Sequence, residues 1–227
     1  MIGVYDYTVI LTYLSLISAG TGIFISLNGG GHPYIGIFFL LFCGLCDAFD
    51  GKVARTKKNR TERERNFGIQ IDSLSDVIAF GVLPACIGVA MMRTSPFISK
   101  LLSPGKWYAV PLKISLFAIL VTYIVAAMIR LAYFNVTEQE IQSTDNSRTH
   151  YTGLPVTSAA LIFPTLAFMH YFIPFDISIF YFVVAIVTAF CFLAKFHLKK
   201  PKLKGILIMI AIGLAEFIAM IILRQVL

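Results

Sequence analysis

The sequence contains few charged residues and few cysteines. Only 14% of its 227 residues are Asp, Glu, Lys or Arg, whereas a soluble domain carries roughly 25%. No charged side chain occurs from residue 7 to residue 46, and the mean hydropathy is +0.81. This composition excludes an ordinary soluble domain and indicates a polytopic membrane protein. The four cysteines lie in apolar stretches, so we interpret Cys43 and Cys46 as small buried side chains rather than a zinc or redox pair.

Long apolar runs predict an all-α helical bundle with about seven membrane spans, within a range of six to eight. The predicted segments are 7–28, 33–56, 67–92, 108–134, 152–172, 174–194 and 204–226. The first run has no basic region before it and no convincing cleavage site, so we expect it to be retained as a helix. Because there is no internal repeat and no long linker, we expect residues 1–227 to form a single integral-membrane domain.

Basic residues predict the orientation of these helices. Most of the 19 lysines and arginines fall in the connections after the second, fourth and sixth segments, which share one side of a seven-span chain. Because cytoplasmic loops are enriched in bases, we predict that this side faces the cytoplasm. Residues 57–65 alternate bases with Glu62 and Glu64. We interpret them as a solvated helical extension that attracts anionic headgroups.

Four aspartates are the most informative feature of the chain. Asp47 and Asp50 precede Gly51 and Ala54 in one predicted span, and they share a helix face because their spacing is close to one turn. On the next predicted span Gly68, Asp72 and Asp76 repeat every fourth residue and also share a face. A carboxylate near hydrocarbon costs several kcal/mol unless it is paired, hydrated or bound to a cation.

Carboxylate oxygens on two facing helices favour a hard divalent cation. We predict that Asp47, Asp50, Asp72 and Asp76 bind Mg²⁺ or Mn²⁺, with two ions in the cluster. The alternative is that these aspartates cap helices or pair with nearby lysines and arginines. That alternative leaves the neighbouring glycines unexplained.

These residues resemble the signature of the CDP-alcohol phosphotransferase family. The pattern is D-x-x-D-G-x-x-A-R from Asp47 to Arg55, followed by G-x-x-x-D-x-x-x-D from Gly68 to Asp76. The twelve residues between Arg55 and Gly68 make a connection toward the long end for the family. The resemblance implies a six-helix core, a homodimer, and transfer of a CDP-linked phosphatidyl group to a small alcohol.

Further stretches resemble the phosphatidylserine synthase branch of that family. They are residues 67–76 (FGIQIDSLSD), 80–85 (FGVLPA), 130–136 (RLAYFNV) and 151–155 (YTGLP). The resemblance implies transfer of a phosphatidyl group from CDP-diacylglycerol to L-serine, which yields phosphatidylserine and CMP. It also implies an enzyme of phospholipid biosynthesis in the cell membrane, with its active site facing the cytoplasm.

The resemblance also implies roles for individual residues. Gly51, Ala54 and Arg55 would form the surface for the CDP moiety, and Asp76 would act as general base on the serine hydroxyl. Arg130 could hold the serine carboxylate through its bidentate guanidinium, and Asn135 could bind the serine ammonium or carboxylate. The alternatives are a lipid-phosphate contact or an interfacial position for Arg130, and a helix C-cap for Asn135.

Other functions stay open from the sequence. The same family includes enzymes whose acceptor is glycerol phosphate, inositol phosphate or inositol, and the lipid donor could be an archaeal diether. A divalent cation transporter is a remote alternative, because intramembrane aspartates also mark ion paths. A structural membrane subunit would leave the aspartate spacing without a purpose.

Overall fold

The computed structural model describes residues 3–143, 150–170, 176–199, 211–213, 215 and 218. Its helices are α1 (Ile10–Leu27), α2 (Pro33–Ala54), α3 (Glu62–Asp76), α4 (Leu83–Thr94), α5 (Pro96–Leu101), α6 (Ala109–Ser143), α7 (Ala159–Met169) and α8 (Ser178–Leu193). A 3₁₀ turn, Tyr7–Val9, precedes α1, and another, Val156–Ser158, precedes α7. The π-helical segment Val77–Val82 joins α3 to α4. The predicted all-α fold class is confirmed.

Four helical stretches are long and apolar enough to cross a membrane: Tyr7–Leu27, Pro33–Ala54, Glu62–Thr94 and Ala109–Thr137. They confirm the first four predicted spans. The fifth and sixth predicted segments form shorter apolar helices, Val156–Met169 and Ser178–Leu193. The 16 residues of α8 extend only about 24 Å, less than a hydrocarbon core of about 30 Å. Most of the seventh predicted segment, including Glu216, lies outside the described residues.

The connection between the second and third spans is shorter than predicted, because the third helix begins earlier. Helix α3 begins at Glu62, five residues before the predicted apolar segment, because Thr61 and Glu64 form a capping box. In such a box each side chain binds an N–H that the helix leaves without a partner. Residues 62–65 therefore extend the helix as predicted, whereas residues 57–60 form the loop that precedes it.

Small residues let α1 and α2 pack closely. A β-carbon placed on Gly36 of α2 would overlap Oγ of Ser26 on α1 and lie 2.8 Å from a side-chain carbon of Ile87, so a larger residue there would force these side chains to move. The hydroxyl of Ser18 donates to the carbonyl O of Phe39 at 3.2 Å. In lipid, where apolar tails give little reason for helices to associate, close backbone packing of this kind holds neighbouring helices together. Cys43 and Cys46 are buried on α2, as predicted.

The π-helical segment directly follows Asp76 and is held by tyrosine hydroxyls from other helices. Pro84 has no N–H, so it cannot bind the carbonyl O of Phe80 as an α-helical residue would. Instead, the hydroxyl of Tyr123 donates to Phe80 O at 2.7 Å, and the hydroxyl of Tyr181 donates to Pro84 O at 2.6 Å. Both tyrosines are almost completely buried. These bonds fix the π-helical segment and the start of α4, which follow Asp76, against α6 and α8.

Two three-residue strands, His150–Thr152 and His197–Lys199, form an antiparallel pair that the sequence did not predict. Beyond the first strand, the N–H of Gly153 donates to Phe196 O at 2.6 Å and that of Leu154 to Cys191 O at 3.2 Å. Gly153 has φ +76°, a conformation that glycine adopts without strain. The turn at residues 153–155 therefore ties the start of α7 to the end of α8.

Candidate active site

Three of the four predicted aspartates come together between α2 and α3. Asp47 and Asp50 lie in the last turns of α2, and Asp72 lies one turn before the end of α3. One carboxylate oxygen from each of them lies within 4.8 Å of the others. The side chains of Asp50 and Asp72 are close enough to interact directly. All three are partly buried, so they form a small acidic cluster that solvent still reaches.

This cluster has the chemistry of a Mg²⁺ or Mn²⁺ site. Mg²⁺ binds oxygen at about 2.0–2.1 Å, so opposite ligands in an octahedral site lie roughly 4 Å apart. The separation of up to 4.8 Å among the three aspartates needs only a small side-chain adjustment to reach that geometry. No sulfur or imidazole joins the described cluster, which also matches a hard cation. The residues therefore fit a divalent ion without backbone movement.

Asp76 lies deeper than this cluster. It is only 8% exposed and falls outside the set of oxygens that converge within 4.8 Å. Its charge is still close enough to interact with those of Asp47, Asp72 and Asp50. The adjacent Ser75 donates to the carbonyl O of Thr12 at 3.3 Å, which holds this end of α3 against α1. The described geometry separates one inner carboxylate from three outer ones.

The predicted nucleotide-binding residues lie at the end of α2. Ala54 is the last residue of the helix, and Arg55 follows it as an exposed C-cap residue whose N–H bonds to Val53 O. The guanidinium of Arg55 turns back over Gly51. A β-carbon placed on Gly51 would lie 3.8 Å from both terminal nitrogens of Arg55. The positive charge of Arg55 therefore lies beside Gly51, the residue directly after Asp50.

Asn135 reaches the same site from α6. Its amide Nδ2 donates to the hydroxyl of Ser73 at 2.7 Å, and Ser73 is the direct neighbour of Asp72. The C-cap alternative for Asn135 is wrong, because α6 continues to Ser143. The amide is instead held by the hydroxyl of Ser73, next to Asp72.

Arg130 lies one turn and a half earlier on α6 and is buried, with 4% exposure. Its Nε donates to the carbonyl O of Leu154 at 2.9 Å, and its guanidinium carbon lies 5.9 Å from the centre of the Phe134 ring. This burial does not fit the alternative of an arginine that extends into the membrane interface. Its Nε–H group thus holds the turn before α7.

The sequence profile of the CDP-alcohol phosphatidyltransferase family matches residues 8–227. The chain belongs to this family. The match includes both predicted aspartate motifs and every element of the site described above. The resemblance inferred from the motifs is therefore confirmed at the level of the family.

Curated relatives carry more specific names. The chain is 31% identical over 142 residues to the CDP-diacylglycerol–serine O-phosphatidyltransferase of Saccharomyces cerevisiae, a match that covers 60% of this chain and 43% of the relative. It is 32% identical over 124 residues to the protein of that name from Helicobacter pylori, with 52% and 39% covered. It is 30% identical over 149 residues to the archaetidylserine synthase of Methanothermobacter thermautotrophicus, with 65% and 53% covered.

The matches leave part of each relative uncovered. The chain spans about half the length of the curated relatives it matches. No solved structure matches the chain.

One part of the site in this family member was missed by the motif analysis. Lys57, two residues after Arg55, lies 2.7 Å from the carboxylate of Asp6 and 2.8 Å from that of Glu64. The hydrogen bond from Lys57 and those from Thr8 lower the pKa of Asp6 to about 2. The segment before α1 is thereby fastened to the loop beside the acidic cluster. The capping box at Thr61 was the one local signal for this arrangement, since it places Glu64 at the start of a helix.

Proposed function

We propose that this protein transfers a phosphatidyl group from CDP-diacylglycerol to L-serine, giving phosphatidylserine and CMP. The observation that carries the proposal is the convergence of Asp47, Asp50 and Asp72 in a member of the CDP-alcohol phosphatidyltransferase family. The names of the curated relatives support serine as the acceptor. A protein that only transports cations would have no need for the other residues of the family motif, Gly51, Ala54, Arg55 and Gly68.

In the proposed reaction, the serine hydroxyl oxygen forms a bond to the phosphorus that carries the diacylglycerol. The bond between that phosphorus and the oxygen of CMP breaks, and CMP leaves with the bonding electrons. Two divalent ions, Mg²⁺ or Mn²⁺, would neutralise charge on the diphosphate when bound by Asp47, Asp50 and Asp72, with Asp76 completing the set. Neutralisation of charge that develops on a leaving group is commonly the largest contribution to such a reaction.

The side chains of the chain have distinct roles in this proposal. Asp76, the inner carboxylate, takes the proton from the serine hydroxyl as attack proceeds. Arg55 binds a phosphate oxygen, and the small residues Gly51 and Ala54 leave room for the cytidine diphosphate on α2. The low exposure of Asp76 keeps water away from the position where serine would attack.

We propose that Asn135 and Arg130 contribute to the serine pocket. Asn135 touches Ser73 beside Asp72, so its remaining amide hydrogen and carbonyl oxygen are available near the reacting groups. Arg130 would bind the serine carboxylate or, as the alternative, a lipid phosphate. Its bond to Leu154 O also makes it a positioning residue for the turn before α7.

We propose a topology and assembly that follow the distribution of charge. The protein would be a single domain in the cell membrane, with the acidic cluster and the loop of residues 55–61 on the cytoplasmic side. Acyl chains would reach the site laterally from the bilayer while serine arrives from the cytosol. The family resemblance further leads us to propose a homodimer.

One assay tests the reaction and its acceptor together. Purified protein is given CDP-diacylglycerol and Mg²⁺ or Mn²⁺, with serine, glycerol phosphate, inositol phosphate or inositol, and CMP release is measured. We expect release with serine only. Asp47→Ala and Asp72→Ala should abolish it, whereas Glu62→Gln, which removes an exposed carboxylate from the start of α3, should leave it near the wild-type rate.

Two results would overturn parts of this proposal. CMP release with another acceptor and none with serine would reassign the substrate within the family. Wild-type activity in Asp72→Ala would remove the acidic cluster from the mechanism. A diether analogue of the lipid donor should be included, because one relative is named archaetidylserine synthase. Faster turnover of that analogue would change the proposed class of lipid donor but leave serine as the acceptor.

A further inference from the structure

Arg60, in the loop between α2 and α3, folds back over the first turns of α3. Its Nη2 donates to the carbonyl O of Glu64 at 3.3 Å. A β-carbon placed on Gly68 would lie 2.7 Å from the same nitrogen, which is closer than a non-bonded contact allows. The guanidinium of Arg60 therefore occupies the space that the missing side chain of Gly68 leaves open.

This position is at the edge of the acidic cluster. Gly68 and Asp72 are four residues apart on α3, so their β-positions are neighbours on one face, about 5–6 Å apart. The guanidinium that covers Gly68 thus lies about one helical turn from Asp72. Two basic side chains of the described loop reach this face of α3: Lys57 pairs with Glu64, and Arg60 covers Gly68.

The guanidinium of Arg60 has donors that the described residues do not use. The ion pairs of the described loop involve Lys57 rather than Arg60, and Nε of Arg60 is buried without a hydrogen-bond partner among the described atoms. A buried donor without a partner costs about 1–3 kcal/mol. A small movement of the guanidinium that brought Nε to an anion at the rim of the cluster would remove this cost.

Arg55 has a similar arrangement on the other helix that carries cluster aspartates, α2. Its guanidinium lies beside Gly51 of α2, as that of Arg60 lies beside Gly68 of α3. Each arginine covers a glycine on a helix that carries cluster aspartates. Two guanidinium groups therefore flank the carboxylates, one from the end of α2 and one from the loop before α3.

We propose that Arg60 is a second diphosphate-binding residue for the nucleotide-linked lipid, in addition to Arg55. The inference rests on the function proposed above. A diphosphate has anionic oxygens on two adjacent phosphorus atoms, and a guanidinium binds such oxygens through parallel N–H groups. The loop of residues 55–61 between α2 and α3 is long enough to bring Arg60 back onto α3.

The test compares Arg60→Ala and Arg60→Lys with Arg63→Ala in full-length protein. Arg63 is exposed and lies about 140° around α3 from Gly68, so its removal changes the net charge equally without touching the site. We expect Arg60→Ala to raise the KM for CDP-diacylglycerol about 10-fold, which corresponds to about 1.4 kcal/mol. The KM for serine should stay within about twofold. Arg60→Lys should fall between wild type and Arg60→Ala because it keeps the charge and loses the bidentate geometry.

A binding measurement separates this inference from the proposed reaction. Equilibrium binding of CDP-diacylglycerol with Mg²⁺ and without any acceptor should weaken in Arg60→Ala by the same factor as the KM rises. If wild type binds the lipid but releases no CMP with serine, the proposed function fails while the binding comparison still tests Arg60. The inference is overturned if Arg60→Ala binds like Arg63→Ala, or if kcat falls while lipid affinity is unchanged. Should Arg60→Ala fail to fold, Arg60→Lys and Arg60→Gln carry the same comparison.

Discussion

The acidic cluster should make the thermal stability of the protein respond to divalent ions, and loss of one carboxylate should largely abolish that response. Asp47, Asp50 and Asp72 hold oxygens within 4.8 Å, and two unit charges at that distance repel by about 3.5 kcal/mol at an effective dielectric constant of 20. Water and salt screen part of this repulsion. We therefore expect Asp72→Asn to stabilise the metal-free protein by about 1–2 kcal/mol.

The expected temperature shifts follow from these energies. For a chain of this size, 1 kcal/mol changes Tm by roughly 2–4 °C, so Asp72→Asn should raise the metal-free Tm by about 2–8 °C. An ion at 100 times its Kd adds about 2.7 kcal/mol, which should raise the wild-type Tm by about 5–11 °C. In Asp72→Asn the ion should add little, because one of the three converging ligands is gone.

Thermal unfolding followed with a thiol-reactive dye is a suitable assay, since Cys43 and Cys46 are buried free thiols. Each protein is heated in EDTA, in Mg²⁺ and in Mn²⁺, with Glu62→Gln as the charge-matched control. That control should show the wild-type response to metal. A wild-type Tm that neither ion changes, together with an Asp72→Asn protein equal to wild type in EDTA, would refute the argument that these oxygens form a shared cation site.

Three further predictions concern residues around the cluster. Asp76→Asn should lower kcat at least 100-fold and change CDP-diacylglycerol affinity less than threefold, because Asp76 is proposed to move a proton; equal losses in both would assign it to lipid binding. Arg130→Lys should raise the KM for serine several-fold in the CMP-release assay, since lysine lacks the bidentate guanidinium; a raised lipid KM with an unchanged serine KM would reassign it to lipid phosphate. Tyr123→Phe should lower the free energy of unfolding by about 1–3 kcal/mol, because it leaves Phe80 O without its donor. The Tm should fall by roughly 2–12 °C, and an unchanged Tm would show that this bond does not hold the π-helical segment.

Local patterns in the chain predicted the membrane helices and the aspartate faces well. Helices α1 and α2 begin and end within a few residues of the predicted segments, because uninterrupted apolar runs and the prolines and glycines that bound them act over short distances. The shared faces of Asp47 with Asp50, and of Asp72 with Asp76, follow from helical periodicity alone. These inferences needed no knowledge of which helices touch.

The chain pattern was less informative about positions that depend on another helix. It did not predict the π-helical segment, since the donors for Phe80 O in the segment and for Pro84 O just after it come from Tyr123 and Tyr181, far along the chain. The bond from Asn135 to Ser73 joins residues 62 positions apart, and no local spacing indicates such a pair. The division of the aspartates into three outer carboxylates and the inner Asp76 also depends on the way α3 packs against α1 and α2.

The amino-acid sequence by itself determined that this is a helical membrane protein with the aspartate signature of its family, because hydropathy and helical period are properties of consecutive residues. Tertiary structure alone decided which oxygens converge, that Arg60 covers Gly68, and that Arg130 holds the turn before α7. Those contacts depend on the distances between elements that are remote in the chain. Such distances result from close packing of many side chains at once, which no single segment encodes.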